Sequence, residues 1–184
     1  MVVLAILGGL LVLGLPRIGK NKNNIKKVTR ELAVLGKEIR NQSRLKNMTH
    51  RLVFRMGKND AYWVEAAQGP VTAKVLSNSS NLSDDEKKAM DAKSPFQKST
   101  KFFKDEKKLP EGMLIKSIET LTNPESITQG IAYIYFTPEG LVERSVIQIG
   151  NKESLTWSLI YNPITGHADV VDKAVSLKDV ETQL

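Results

Sequence analysis

The first sixteen residues, MVVLAILGGLLVLGLP, limit this chain more than any other stretch. From Met1 to Leu15 every residue is apolar or glycine, and Pro16 with Arg17 ends the run. Wound as a helix, the run reaches roughly 22 Å, against a hydrocarbon core of about 30 Å. It is short for a full membrane span, so its composition predicts a span whose first residues precede Met1. A secretory signal fits less well, because no basic segment precedes the run and no small-residue cleavage site follows it. A buried helix of a soluble domain would carry a polar face, and this run has none.

Beyond the proline the pattern stays helical and becomes amphipathic. Ile25, Val28, Leu32, Leu35 and Ile39 recur at spacings of three and four, which predicts one apolar stripe on a helix from about Lys20 to about Lys46. Lys26, Lys27, Arg30, Lys37 and Arg40 fall off that stripe. Pro16 removes one backbone donor, so a kink is expected there without an end to the helix.

From Arg51 the period drops to two. RLVFRM, a GKND turn and AYWVEA predict a hairpin with Leu52 and Phe54 on one face. Further strands are expected in MLIKSIE from Met113, IAYIYF from Ile131, LVERSVIQI from Leu141, SLTWSLIY from Ser154 and HADVV from His167. The turn signals between them are Thr137-Pro138-Glu139-Gly140, Gly150-Asn151-Lys152 and Asn162-Pro163-Ile164-Thr165-Gly166. Strands at such spacing, with no second long helix, predict an α+β chain: a long N-terminal helix packed on one face of an antiparallel sheet or sandwich. Between the hairpin and the later strands, residues 77–108 are rich in serine, asparagine, lysine and aspartate. They predict an exposed insertion, with a capping box in Ser83-Asp84-Asp85-Glu86 and with Phe102-Phe103 as a possible partner surface weighed against plain solvation.

Composition restricts the chemistry. The chain has 184 residues, a net charge of +7 and 41% hydrophobic residues, enough for one core. It has no cysteine, which removes disulfides, thiolate zinc sites and a cysteine nucleophile. His50 and His167 are its only histidines, and no metal, nucleotide or nucleophile motif surrounds them. Both are expected to be packing or surface residues, as are Trp63 and Trp157 on their strands. Asp169 and Asp172 lack the alternating oxygen ligands of a calcium loop. No catalytic, cofactor-binding or metal-binding residue is assigned, no cofactor is expected, and the chain reads as a non-enzyme.

VVLAILGGLLVLGLPRI resembles the N-terminal helix of type IV pilin-like proteins. RLVFRMGKNDAYWVE is similar to their first hairpin, and FTPEG with LTWSLIYNPITGHADVV is similar to the end of H-class pseudopilins of the type II secretion system and related minor pilins. The resemblance implies a pilin-like fold with three parts. Residues 1–19 would be the membrane-embedded half of the helix, 20–48 its amphipathic half and 49–184 a periplasmic β domain. Anchoring and assembly would fall to Val2, Val3, Leu4, Ala5, Ile6, Leu7, Gly8, Gly9, Leu10, Leu11, Val12, Leu13, Gly14, Leu15 and Pro16. Ala5 and Gly9 form a small-xxx-small pair that permits close helix approach in lipid. Helix–sheet packing would fall to Ile25, Val28, Leu32, Leu35 and Ile39. The implied partners are other pseudopilins or pilins, the inner membrane, a prepilin peptidase acting on a longer precursor, and secreted substrates. The implied role is a subunit of a short periplasmic filament for protein secretion, with a minor pilin in pilus assembly or DNA uptake as the alternative. Lys20, Lys22, Lys26 and Lys27 follow the apolar run, so this orientation requires a more basic leader upstream. Nucleic acid is not an expected partner, because the strands from Leu141 to Asp172 carry no basic cluster interleaved with aromatics.

Overall fold

The computed structural model describes residues 2–71, 94–123, 125–153 and 155–181, with side chains from Asn23 onward. The capping box at Ser83 and the side chains of the apolar run lie outside the described residues. Helix α1 (Val2–Lys46) is unbroken for 45 residues, through Pro16. It stops at Asn47, which takes the left-handed conformation (φ 50°) that asparagine tolerates at a helix end. Among the described residues, no helix is long and apolar enough to cross a membrane.

Strands β1 (Met48–Met56) and β2 (Ala61–Gln68) form the expected hairpin, pairing Leu52 with Val64 and Phe54 with Tyr62. β3 (Gln97–Lys98) and β4 (Lys107–Lys108) pair along the outer edge of β2, and β6 (Gly130–Phe136) pairs along β1. A second antiparallel sheet has the order β5 (Met113–Thr120), β7 (Ser145–Asn151), β8 (Thr156–Tyr161), β9 (Ala168–Val171). The short helix α2 (Leu177–Glu181) follows. The chain is therefore α+β, an N-terminal helix with antiparallel sheets.

Asp60 ties the sheets together at one corner. One carboxylate oxygen accepts from the Gly57 N–H (2.7 Å) and closes the hairpin turn, while the other accepts from the Ile115 N–H on β5 (2.6 Å). At the opposite end the chain changes sheets. The strand expected from Leu141 begins only at Ser145, because residues 141–144 bond to both sheets in turn. Glu143 N–H donates to Tyr135 O on β6 (2.8 Å), whereas Val142 N–H donates to Pro163 O beyond β8 (2.9 Å).

One hydrophobic cluster joins α1 to the inner faces of both sheets, from Leu52, Phe54 and Ile134 to Ile147, Leu159 and Tyr161. The helix therefore bridges two sheets, where the sequence leaves a single sheet and a sandwich both open. The second face of β1 also differs from a solvated face: Val53 and Arg51 are buried. The Arg51 guanidinium stacks over Phe96 (4.3 Å) and Tyr133 (4.1 Å) and pairs with Glu65 (2.6 Å). Such a sandwich lets an arginine face a sheet without exposing the apolar residues beside it.

The described part of the insertion, expected to be exposed, pairs with the domain. Residues 94–108 return along the edge of β2, and Phe102 and Phe103 pack against the main core instead of facing outward. Phe103 meets Tyr62 edge-on at 5.8 Å. An unpaired edge strand invites aggregation, and this return strand covers it.

Candidate functional site

The site with the clearest construction is the seat of α1 on the two sheets. Ile25, Leu32 and Ile39 are fully buried, and Val28 and Leu35 nearly so. The stripe alone does not describe the seat, because three small or polar positions lie within it. Thr29 and Ser43 are fully buried, and their hydroxyls donate back to the carbonyls of Ile25 (3.0 Å) and Ile39 (3.0 Å). Such back-bonding lets a hydroxyl sit in a core, and Ser43 Oγ also lies 2.9 Å from His50 Nδ1. Gly36 is the third. A Cβ there would lie 2.6 Å from the Tyr161 hydroxyl and 2.7 Å from its ring carbon. The missing side chain admits the Tyr161 ring against the helix backbone, where its hydroxyl donates to Leu32 O (2.6 Å). Burial pushes the Tyr161 phenol far up, so it remains a donor throughout the ordinary pH range.

Arg40 fastens the next turn of the helix, and the Arg44 side chain lies against Gly140. Arg40 Nε donates to Gly140 O (2.6 Å) and its Nη2 to Ile164 O (2.9 Å), so one side chain clamps the Thr137–Gly140 and Asn162–Gly166 turns together. The glycines of both turns have positive φ, 86° at Gly140 and 65° at Gly166. A Cβ at Gly140 would lie 2.9 Å from Arg44 Cγ, and one at Gly166 3.1 Å from Arg40 Nε. The turns are therefore parts of the helix seat as well as chain reversals. Arg40 was legible only as a polar residue off the stripe.

The helix is also tied to the returning insertion. Lys107 Nζ pairs with Glu31 (2.7 Å), and Lys101 Nζ donates to Gln42. Two of the insertion's lysines are thus engaged with α1.

His50 sits where α1 hands over to β1. It is buried, its Nδ1 is 2.9 Å from Ser43 Oγ, and Phe102 meets its ring edge-on at 5.8 Å. Burial is the main cause of a lowered pKa, Lys46 and Lys101 add to it, and a backbone hydrogen bond at Met48 opposes it. The folded state therefore takes up its proton at lower pH than the unfolded chain, whose value is near 6.5. Stability from this group is whole above that value and falls as pH drops below it, by at most about 1.4 kcal/mol per pH unit for one proton. Urea unfolding at pH 7.5 and 5.5 should show this loss, and His50→Gln should reduce it; an unchanged pH dependence in the variant would refute the assignment.

His167 lies far from such a setting, exposed and 3.7 Å from Asp169. Trp63 is buried and donates to Glu65 (2.7 Å), while Trp157 packs half-buried against the core. Among the described residues, no group of histidine, aspartate and glutamate is placed to hold a metal ion. The residues Val2–Pro16, expected to anchor and assemble, share the backbone of α1, and their side chains lie outside the described residues. No family model, no curated protein and no solved structure matches this chain.

Proposed function

We propose that this chain is a pilin-like assembly subunit: an H-class pseudopilin of a type II secretion system, or a related minor pilin. The observation that carries the reading is the 45-residue helix at the N-terminal end, whose second half is the spine of two antiparallel sheets. Its first half begins with the apolar run from Val2 to Leu15. In this reading the run holds the subunit in the inner membrane and packs against like helices in a filament. The β domain faces the periplasm, and the role is assembly without catalysis. Clamping by Arg40 and Tyr161 supports it mechanically, because a helix pulled from lipid must transmit force to its domain without peeling away.

The absence of cysteine makes the test clean. Ala5→Cys and Gly9→Cys variants, expressed in bacteria that assemble the filament, should fractionate with the inner membrane and form cross-linked ladders with a bismaleimide reagent. An Asn23→Cys variant on the exposed flank serves as the comparison. Recovery of all variants as uncross-linked soluble protein would overturn the reading.

A further inference from the structure

After β9 the chain crosses the outer face of the second sheet, held by one side chain from each of three strands. Ser158 Oγ on β8 donates to Lys173 O (2.7 Å) and accepts from the Val175 N–H (2.9 Å). Gln148 on β7 donates to Val175 O (2.9 Å), and Glu119 on β5 accepts from the Leu177 N–H (2.7 Å). Leu177 is buried. This strap covers only part of the sheet face. Beside it lies a cleft of about 770 Å³, lined among others by Arg144, Ile160, Asn162, Val171, Lys173 and Val180. That volume is within the range of small-molecule and peptide-terminus sites.

The polar groups of the cleft are unequally occupied. Asp179 is engaged, since Oδ2 accepts from the N–H and hydroxyl of Ser176 at the start of α2. Asp169 sits at the rim beside His167, well exposed. Asn162 Oδ1 accepts from the N–H groups of Ile164 and Thr165 (3.0 Å each), which leaves its Nδ2 to donate. Arg144 is half-buried, and its guanidinium makes no hydrogen bond or ion pair with any described residue. Among the described residues, the free donors of the cleft are therefore Arg144 and the Asn162 amide. The Asp179 carboxyl is held below the usual range by the Ser176 N–H and hydroxyl with help from nearby Lys173, and the Asp169 carboxylate stays at the exposed rim. Ile160, Val171 and Val180 supply aliphatic surface beside it.

We propose that this cleft binds an aliphatic carboxylate, with the carboxylate on the Arg144 fork and the Asn162 amide and the aliphatic body on Ile160, Val171 and Val180. A planar guanidinium matches a carboxylate through two parallel hydrogen bonds, and removing it from a partly desolvated site leaves the anion unpaired. Two sources share this chemistry: the C-terminus of a peptide ending in an aliphatic residue, and a free branched-chain acid. The site is built from the second sheet and the strap alone, so it stands independently of filament assembly.

The probe is acetyl-Ala-Ala-Leu with a free carboxylate, titrated into ¹⁵N-labelled full chain in a mild non-ionic detergent. Its C-terminal amide and isovalerate form the other two arms. The free acid should shift the backbone amides of Ile160, Val171 and Val180, and the peptide amide should bind weaker by about tenfold or more. Arg144→Gln and Asn162→Asp should weaken the free acid to a similar degree, the second while keeping the acceptor that closes its turn. Competition by isovalerate extends the site to free acids, and failure to compete assigns it to peptide termini. Equal binding of acid and amide, or no shift at these amides, would overturn the proposal; both comparisons use the unmodified protein.

Discussion

Gly36→Ala is expected to destabilise the protein by about 1–3 kcal/mol, although alanine in a helix interior ordinarily gains about 1 kcal/mol over glycine. The reversal comes from Tyr161. Its ring lies where the new methyl group would go, and it cannot retreat, because it is fully buried and its hydroxyl is held by Leu32 O. That carbonyl is also the acceptor of the Gly36 N–H in the helix, so shifting the ring disturbs the same turn. Gly36→Val should cost more, since it adds volume and β-branching. Pairing Gly36→Ala with Tyr161→Leu should restore part of the loss relative to the sum of the single changes, because the clash and the ring that causes it disappear together. The check is a chemical-denaturation series on the parent and the four variants. A Gly36→Ala variant more stable than its parent would show that the helix is not held where the Tyr161 contact places it.

Leu32→Ala is expected to cost about 2–5 kcal/mol. Leu32 is fully buried in the cluster that α1 shares with both sheets, so the lost side chain leaves a cavity between three elements that cannot close at once. Val34, two residues away on the same helix, is 68% exposed. Val34→Ala should change stability by no more than about 0.5 kcal/mol, so the pair separates burial from helix propensity. Equal stability of the two variants would remove the stripe from the domain core and leave it for contacts between subunits.

Much of the local plan can be read from residue order. The stripe from Ile25 to Ile39 marks the inward face of α1 because helical period and burial are governed by the same geometry. The hairpin at Gly57–Asp60 and the turns at Gly140 and Gly166 are marked by the residues that tight turns require. The seat itself was less legible. Thr29 and Ser43 look like surface positions until their hydroxyls turn back to the helix carbonyls, and Gly36 looks like a weak point until Tyr161 fills it. Arg40 and Arg44 look like solvated charges, yet Arg40 spans carbonyls 100 and 124 positions away in the chain. No local pattern encodes a partner at that separation. The strap and its cleft were invisible for the same reason, since Ser158, Gln148 and Glu119 are ordinary polar residues on an outward face.

By itself, the sequence determined the helix, the strand regions, the turns and the absence of cysteine chemistry. These follow from the period of apolar residues, the few residue types that reverse a chain, and simple composition. The tertiary structure decided that the strands divide into two sheets with the helix bridging them, and that the insertion returns to cover the edge of β2. It also decided that Asp60 ties the hairpin turn to β5 and that Arg144 lines a cleft without a hydrogen-bond or ion-pair partner among the described residues. Those outcomes depend on which distant backbone and side-chain groups meet once the core closes. A one-dimensional pattern fixes the inward face of each element and leaves open the partner that covers it.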